Sequence, residues 1–203
     1  MKTQRDKRLF DLLAAGAGLV LLAPLLLALA LWIRLDSPGP ALYRQRRVGR
    51  HGVPFDILKF RTMAHRPDGA DGGRQLTVGC DPRITRAGRF LRASKLDELP
   101  QLINVLQGTM SLVGPRPEVP RYVDCYPPAV RRTVLSVAPG ITDLASILYK
   151  EESAILGRAA DPERTYVETI LPVKLAYYQR YVHERSFWLD LRILARTLVA
   201  VLR

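Results

Sequence analysis

The feature that most constrains this chain is a long apolar block near its N-terminus. Between Leu9 and Ile33 the only charged residue is Asp11. The block is long enough to cross a bilayer, which takes about 20 apolar residues. A cleaved signal peptide has an apolar core of only roughly 7–15 residues and then a small-residue cleavage site, whereas this block runs into Trp32-Ile33-Arg34. The sequence therefore predicts a retained membrane segment over residues 1–36.

The charges around this block favour a re-entrant helix over a spanning one. Basic residues flank both ends: Lys2, Arg5, Lys7 and Arg8 before it, and Arg34, Arg44, Arg46, Arg47 and Arg50 after it. The positive-inside tendency disfavours export of either flank. Pro24 lacks a helical N–H and clashes with the preceding turn, so a helix that breaks at Ala23-Pro24 and returns keeps both flanks in the cytoplasm. A Pro-kinked spanning helix is the alternative, because neighbouring groups can tolerate proline in lipid.

The overall charge points to an anionic partner. The 203 residues include 31 Lys and Arg against 19 Asp and Glu, a net charge of +12. Such an excess fits phospholipid headgroups, a phosphorylated substrate or nucleic acid, and a generally Arg-rich proteome is the plain alternative. Nucleic acid is not expected, because a nucleic-acid-binding module needs no long apolar block. The two cysteines are too few and too isolated for a disulfide framework or a zinc site, which fits a reducing, cytosol-facing domain.

Residues 37–203 are predicted to form one domain of the α+β class that is mostly helical. The predicted elements are strands over 42–49 and 55–61 with a hairpin turn at 49–52, a loop over 64–80, a short basic helix over 84–93, a helix over 97–107 that stops at Gly108, a rigid loop over 113–117, a turn at Pro139-Gly140 and a helix start at Asp161-Pro162-Glu163. In the 97–107 helix, Leu99, Leu102, Ile103 and Leu106 are predicted to form the buried face, with Asp97, Gln101 and Asn104 opposite.

The last helix opens at Ser186 and carries most of its apolar residues on one side. These residues are Phe187, Trp188, Leu191, Leu194 and Leu198. Because Arg192 and Arg196 accompany them, we expect an amphipathic helix that lies in the membrane interface. A plain core helix fits the pattern equally well.

Asp97-Glu98 is the pair of residues that most suggests chemistry. Two adjacent carboxylates at a helix start are stabilised in their ionised forms by the helix dipole. A carboxylate kept ionised near cations can attack phosphorus as a nucleophile or bind a divalent metal. Helix capping alone is the simpler reading of such a pair.

Basic side chains in the same domain are candidates for binding a diphosphate. Lys59 and Arg61 alternate along one predicted strand face, although a solvated face is the simpler reading. Arg116 lies between two prolines, which stiffen the loop and fix the direction of a guanidinium suited to bidentate phosphate recognition. The histidines His51, His65 and His183 are scattered, and no Gly-rich phosphate loop or nucleophile elbow occurs in the sequence.

Several motifs in a fixed order together resemble one family. They are Lys59-Phe60-Arg61-Thr62-Met63, Asp81-Pro82-Arg83-Ile84-Thr85, Gly88-Arg89-Phe90-Leu91-Arg92, Leu96-Asp97-Glu98-Leu99-Pro100-Gln101-Leu102, and Met110-Ser111-Leu112-Val113-Gly114-Pro115-Arg116-Pro117. This set resembles the bacterial sugar transferases known as small monotopic phosphoglycosyl transferases, from the membrane block to about Thr142.

The resemblance implies an activity and a set of site residues. A re-entrant helix would hold a Mg²⁺-dependent domain on the cytoplasmic face of the bacterial inner membrane. Asp97 would be the nucleophile, beside Glu98, and both would be candidate metal ligands. Asp97 would attack the sugar-bearing phosphorus of a UDP-sugar, UMP would leave, and polyprenyl (undecaprenyl) phosphate would then accept the phospho-sugar and so begin exopolysaccharide or glycoconjugate synthesis. Mg²⁺, Lys59, Arg92 and Arg116 could neutralise the diphosphate, and we include Arg61 among the substrate-binding residues.

The resemblance weakens after Thr142 and leaves other readings open. Asp143-Leu144-Ala145-Ser146 replaces the pattern common in relatives, so no sugar contacts are assigned there. Anionic lipids are expected partners, and a homodimer is left open. A non-catalytic membrane scaffold is one alternative, and a glycosyltransferase that releases nucleoside diphosphate is another.

Overall fold

The computed structural model describes residues 4–64, 76, 78–79, 81–149 and 152–202. Most of the predicted loop over residues 64–80, including His65 and Cys80, lies outside these residues. The described part of the chain is mostly helical, as predicted, and contains two small sheets. The division at residue 36 between membrane helix and domain stays a prediction.

The apolar block forms one long helix, α1, over Gln4–Asp36. The helix is continuous through Pro24, so the interruption predicted at Ala23-Pro24 is absent. The re-entrant path of this helix stays a prediction. Only 11% of its most apolar stretch is buried, and Val20 and Leu21 are about 80% exposed (79% and 81%). A helix of this length and exposure is suited to a bilayer rather than to a protein core.

Both ends of α1 pack against the rest of the chain. Near the N-terminus, the Arg8 guanidinium donates to the carbonyls of Val105 and Leu106, and Lys7 pairs with Asp190 at 2.6 Å. At the other end, Asp36 accepts from the backbone N–H of Ala87 at 3.0 Å. Both ends of α1 therefore contact residues of the predicted domain, 37–203.

The predicted hairpin is confirmed. Strand β1, Leu42–Val48, pairs antiparallel with β2, Pro54–Phe60, so that Leu42 faces Phe60. A 3₁₀ turn at Arg50–Gly52 joins them, and the positive φ of 79° at Gly52 is one that glycine adopts readily.

The next two helices are confirmed. The second of them begins at Gln101 rather than at Asp97, and its buried face was predicted wrongly. Helix α2 spans Arg86–Ala93 behind a Thr85 cap, and α3 spans Gln101–Gln107 and stops at Gly108. Gln101 and Asn104 are buried in α3, whereas Leu106 is 38% exposed. The Asn104 amide accepts from the Leu58 N–H and donates to the Asp56 carbonyl, so hydrogen bonding to β2 draws a polar face inward.

A second sheet was missed by the sequence analysis. Strand β3, Ser111–Val113, runs parallel to β4, Gly140–Thr142. The predicted rigid loop therefore begins after Val113, and the predicted turn at Pro139-Gly140 instead leads into a strand. A Cβ on Gly140 would lie 2.1 Å from the Gly114 nitrogen, so this close approach requires glycine.

The remaining helices surround these sheets. They are α4 (Pro120–Val123), α5 (Pro128–Val134), α6 (Leu144–Leu148), α7 (Glu152–Gly157), α8 (Pro162–Thr165), α9 (Leu171–Glu184) and α10 (Phe187–Leu202). Asp161 caps α8 as predicted, and a π-helical turn over Tyr166–Ile170 joins α8 to α9.

Helix α10 has a buried side and an exposed side. Ile193 is fully buried, while Trp188 and Leu198 are 72% and 65% exposed. Phe187 contacts Phe10 of α1 with ring centres 5.5 Å apart, so α10 lies against the N-terminal part of the long helix. The helix thus has both the core contacts and the exposed apolar side that its sequence pattern allowed.

Candidate active site

A cavity of about 590 Å³ opens over the β1–β2 hairpin and collects most of the predicted site residues. Its lining includes Lys59, Arg61, Arg92, Asp97 and Arg116. Glu98 contacts two of these side chains, Lys59 and Arg116. The structure therefore brings together residues that lie far apart in the sequence.

The Asp97-Glu98 pair lies in a 3₁₀ turn, Leu96–Glu98, ahead of α3. Lys95 precedes the turn in the left-handed conformation, with φ 57°. Because α3 begins only at Gln101, the pair is not in the first turn of that helix, and the expected dipole stabilisation gives way to the effects of neighbouring charges. Asp97 is 8% exposed, and its Oδ1 has no hydrogen-bond partner among the residues described.

Glu98 is held by two cations. Arg116 donates from Nη1 to Oε2 at 3.0 Å and from Nη2 to Oε1, a bidentate pair, and Lys59 donates to Oε1 at 3.1 Å. Burial alone would raise the pKa of Glu98, but the charges of Arg116 and Lys59 hold that pKa well below its usual range. Glu98 is therefore an ionised anchor that orients both cations.

Asp97 has a different electrostatic environment from its neighbour. Burial, and then the charge of Glu98, raise the pKa of Asp97, while Lys59 and Arg92 partly oppose the shift. The pKa of Asp97 is thus set by burial and neighbouring charges rather than by the helix dipole that the sequence suggested. A buried carboxylate with a free oxygen beside cations is a weakly solvated, potentially nucleophilic group.

Arg92 supplies a further cation to the cavity. It lies in the last turn of α2 and lines the cavity. No hydrogen bond or ion pair to its guanidinium occurs within the described parts of the chain. Its guanidinium is therefore a candidate to bind an anionic ligand in the cavity.

Arg61 lines the cavity, but its guanidinium is engaged elsewhere. It donates to the carbonyls of Ile33, Ser37, Pro38, Gly39 and Pro40 and to the Ser37 hydroxyl, at 2.6–3.4 Å. These groups belong to the end of α1 and the segment after it. These contacts favour a structural role for Arg61, which joins the end of β2 to the end of α1, over the phosphate contact that the sequence predicted.

The site offers one free carboxylate to a metal. No cluster of three or more His, Cys, Asp or Glu side chains occurs among the residues that the structure describes. The Glu98 oxygens are occupied by Lys59 and Arg116, whereas Oδ1 of Asp97 is buried and accepts no hydrogen bond from the residues that the structure describes. Because Mg²⁺ is commonly held by one or two carboxylates together with substrate phosphates, Asp97 fits such a site only with a bound diphosphate.

Part of the cavity lining was not predicted from the sequence. Glu152, Tyr166 and Lys174 line the cavity, from α7, the π-helical turn and α9. They lie beyond Thr142, where the motifs end. The one local signal was Pro172, which lacks the N–H that a regular helix requires and lies two residues after the end of the π-helical turn.

Comparison with known proteins identifies the family. Residues 2–203 match the bacterial sugar transferase family. The chain is 43% identical over 198 residues to a UDP-glucose:undecaprenyl-phosphate glucose-1-phosphate transferase of Caulobacter vibrioides, covering 97% of this chain and 69% of the relative.

Two further relatives differ in how much of their length matches. An exopolysaccharide production protein of Rhizobium leguminosarum bv. phaseoli is 38% identical, over 97% of this chain and 94% of its own. A UDP-N-acetylgalactosamine-undecaprenyl-phosphate N-acetylgalactosaminephosphotransferase of Aeromonas hydrophila is also 38% identical, but the chain spans only 43% of its length. The chain belongs to the bacterial sugar transferase family.

Proposed function

We propose that this chain is an enzyme that transfers a sugar 1-phosphate from a UDP-sugar to undecaprenyl phosphate. One observation carries the proposal: in a cavity lined by cations, Asp97 presents a buried carboxylate oxygen that has no hydrogen-bond partner among the described residues. Relatives whose names state this activity, with glucose or N-acetylgalactosamine as the sugar, support it.

In the first step, an oxygen of the Asp97 carboxylate forms a bond to the sugar-bearing phosphorus. The bond from that phosphorus to the bridging oxygen breaks, and UMP leaves with that oxygen and its electron pair. Asp97 must be ionised to attack. Lys59, Arg92 and Arg116 lower the charge repulsion between the carboxylate and the diphosphate.

In the second step, an oxygen of undecaprenyl phosphate forms a bond to the same phosphorus. The bond between Asp97 and phosphorus breaks and regenerates the carboxylate. Glu98 does not react; it holds Arg116 and Lys59 in place for both steps. Mg²⁺, held by Asp97 and the diphosphate, would neutralise phosphate charge and help UMP to leave.

Helix α1 is proposed to be re-entrant, with both ends on the cytoplasmic face of the inner membrane. Arg8 near one end and Asp36 at the other both contact the same domain. A straight helix of 33 residues would be about 50 Å long. A domain on one side of a bilayer cannot reach both ends of a straight helix that crosses the bilayer, whereas a bend at Pro24 would bring both ends to one face. The exposed side of α10 would then lie on anionic lipid.

Cysteine labelling tests this topology. In a chain whose native cysteines are replaced by serine, Thr3→Cys should react with an impermeant reagent only after cells are permeabilised. Pro24→Leu should restore helix continuity and make part of the population reactive in intact cells. Efficient labelling of Thr3→Cys in intact cells, with Pro24 unchanged, would establish a spanning helix instead.

The activity is tested by its by-product. Purified protein with a UDP-sugar, undecaprenyl phosphate and Mg²⁺ should release UMP and form a lipid-linked sugar diphosphate. Release of UDP would identify a transferase that moves sugar without phosphate. No turnover with a panel of UDP-sugars would favour the membrane scaffold.

A further inference from the structure

The cavity has a second charged end, built by elements other than those around Asp97. The ammonium of Lys174 pairs with the carboxylate of Glu152 and lies 5.0 Å from the ring centre of Tyr166. Lys174 is only 5% exposed. Ser153 completes this part of the lining.

The ion pair is not explained by packing alone. Removing two charges from water costs several kcal/mol per ion, so a buried pair is often no more stabilising than apolar residues of the same volume. Here the pair faces a cavity that is large enough to hold a ligand. The hydroxyl of Tyr166 donates to Glu118, which keeps the ring fixed beside Lys174.

The two ends of the cavity belong to different parts of the domain. Tyr166 packs in an apolar cluster with α4, α5 and α9 that includes no α1 residue among those described. Phe60, on the other side of the cavity, packs with Leu29 and Ile33 near the end of α1. The second end therefore packs against α4, α5 and α9, whereas the first end packs against the C-terminal part of α1.

The order of bond formation assigns a substrate group to each end. In phosphoryl transfer the attacking and leaving oxygens lie roughly in line. UMP leaves opposite Asp97, and the phosphate of the lipid must later attack from that same side. Because the lipid arrives from the membrane, the UMP position lies on the α1 side. The sugar, which stays on the phosphorus through both steps, is directed to the remaining end.

We propose that Glu152, Ser153 and Lys174 bind the hydroxyl groups of the transferred sugar. The inference rests on the proposed transferase function. A carboxylate, a hydroxyl and an ammonium together supply the acceptors and donors that sugar hydroxyls need. Tyr166 forms the apolar side of this sugar subsite.

Binding measurements with and without the sugar test the subsite. The probes are UDP and whichever UDP-sugar gives the fastest UMP release from the wild-type protein, among the UDP forms of glucose, galactose, N-acetylglucosamine and N-acetylgalactosamine. Affinities are measured in an Asp97→Asn background, which stops turnover. Lys174→Met should weaken UDP-sugar binding roughly tenfold or more, because a sugar hydroxyl loses the ammonium that binds it. The same substitution should change UDP binding less than about twofold, because UDP carries no sugar at this position.

Two further variants make the result decisive. Glu152→Gln, which keeps the volume, should weaken UDP-sugar binding in the same selective way. Arg180→Met removes an exposed ion pair on the same helix and should change neither affinity. Equal losses for UDP and UDP-sugar, or no loss for either, would overturn the sugar subsite. If the wild-type protein releases no UMP from any of the four sugars, the proposed function fails instead.

Discussion

The two ends of the cavity each contain a carboxylate paired with a cation, yet they differ in how the sequence encodes them. At the reactive end, Glu98 pairs with Arg116 and Lys59, and all three belong to motifs recognisable in order along the chain. At the other end, Glu152 and Lys174 meet only because α7 and α9 pack together. The chemistry is thus encoded in local motifs, whereas the surroundings of the substrate depend on tertiary packing.

Removing the nucleophile should have the largest effect and should separate chemistry from binding. Asp97→Asn keeps the volume of the side chain, so we expect turnover to fall roughly a thousandfold or more. Affinity for UDP-sugar, measured without Mg²⁺, should be unchanged or tighter, because one negative charge near the diphosphate is lost. UMP release and calorimetry measure the two quantities.

Asp56→Asn serves as the matched control, because this carboxylate pairs with Arg46 at the surface and its side chain is 48% exposed. It should retain full activity. Near-normal turnover of Asp97→Asn would remove Asp97 from the reaction.

A change at Arg116 should have a smaller effect on both nucleotide ligands. A lysine cannot replace the two parallel N–H donors that bind Glu98, so the positive charge would be held less precisely beside the diphosphate. Arg116→Lys should therefore lower kcat/KM by roughly 10–100-fold. Affinity for UDP and for UDP-sugar should fall together, in contrast to the selective loss expected at Lys174.

The exposed Arg131, which pairs with Asp124, provides the control Arg131→Lys. Unchanged kinetics of Arg116→Lys would show that a single positive charge is enough at this position.

The pH dependence should show the smallest effect and distinguishes the two adjacent carboxylates. Burial and Glu98 raise the pKa of Asp97, and only the ionised form attacks. The acid limb of kcat/KM, which reports the free enzyme, should therefore lie above the ordinary aspartate value of about 3.9. Activity is expected to be lost as pH falls through this raised pKa.

Glu98 should stay ionised throughout that range, because its own pKa is depressed. UDP binding should consequently remain constant while activity falls. An acid limb at or below the ordinary value would contradict the burial argument.

The sequence predicted the elements better than their environments. The hairpin, the stop at Gly108 and the cap at Asp161 follow from local turn and capping chemistry, and all three are confirmed. The buried face of α3 was predicted wrongly, because Asn104 is drawn inward by β2, a contact that no periodicity encodes.

The same limit applies to the candidate site. The motifs grouped Lys59, Arg92, Asp97, Glu98 and Arg116 correctly in space. They could not show that carbonyls after α1 occupy Arg61, nor that burial raises the pKa of Asp97. Both depend on which distant groups surround a side chain, and this is a property of the folded chain.

The central claim is that Asp97 carries the phospho-sugar between the two substrates. Incubating the protein with its UDP-sugar and Mg²⁺, without lipid, and measuring the intact mass tests this directly. We expect a mass increase of one sugar phosphate, located on Asp97 by fragmentation, with UMP released and the adduct discharged by undecaprenyl phosphate. An adduct on another residue, or UMP release that requires the lipid and never yields an adduct, would contradict it.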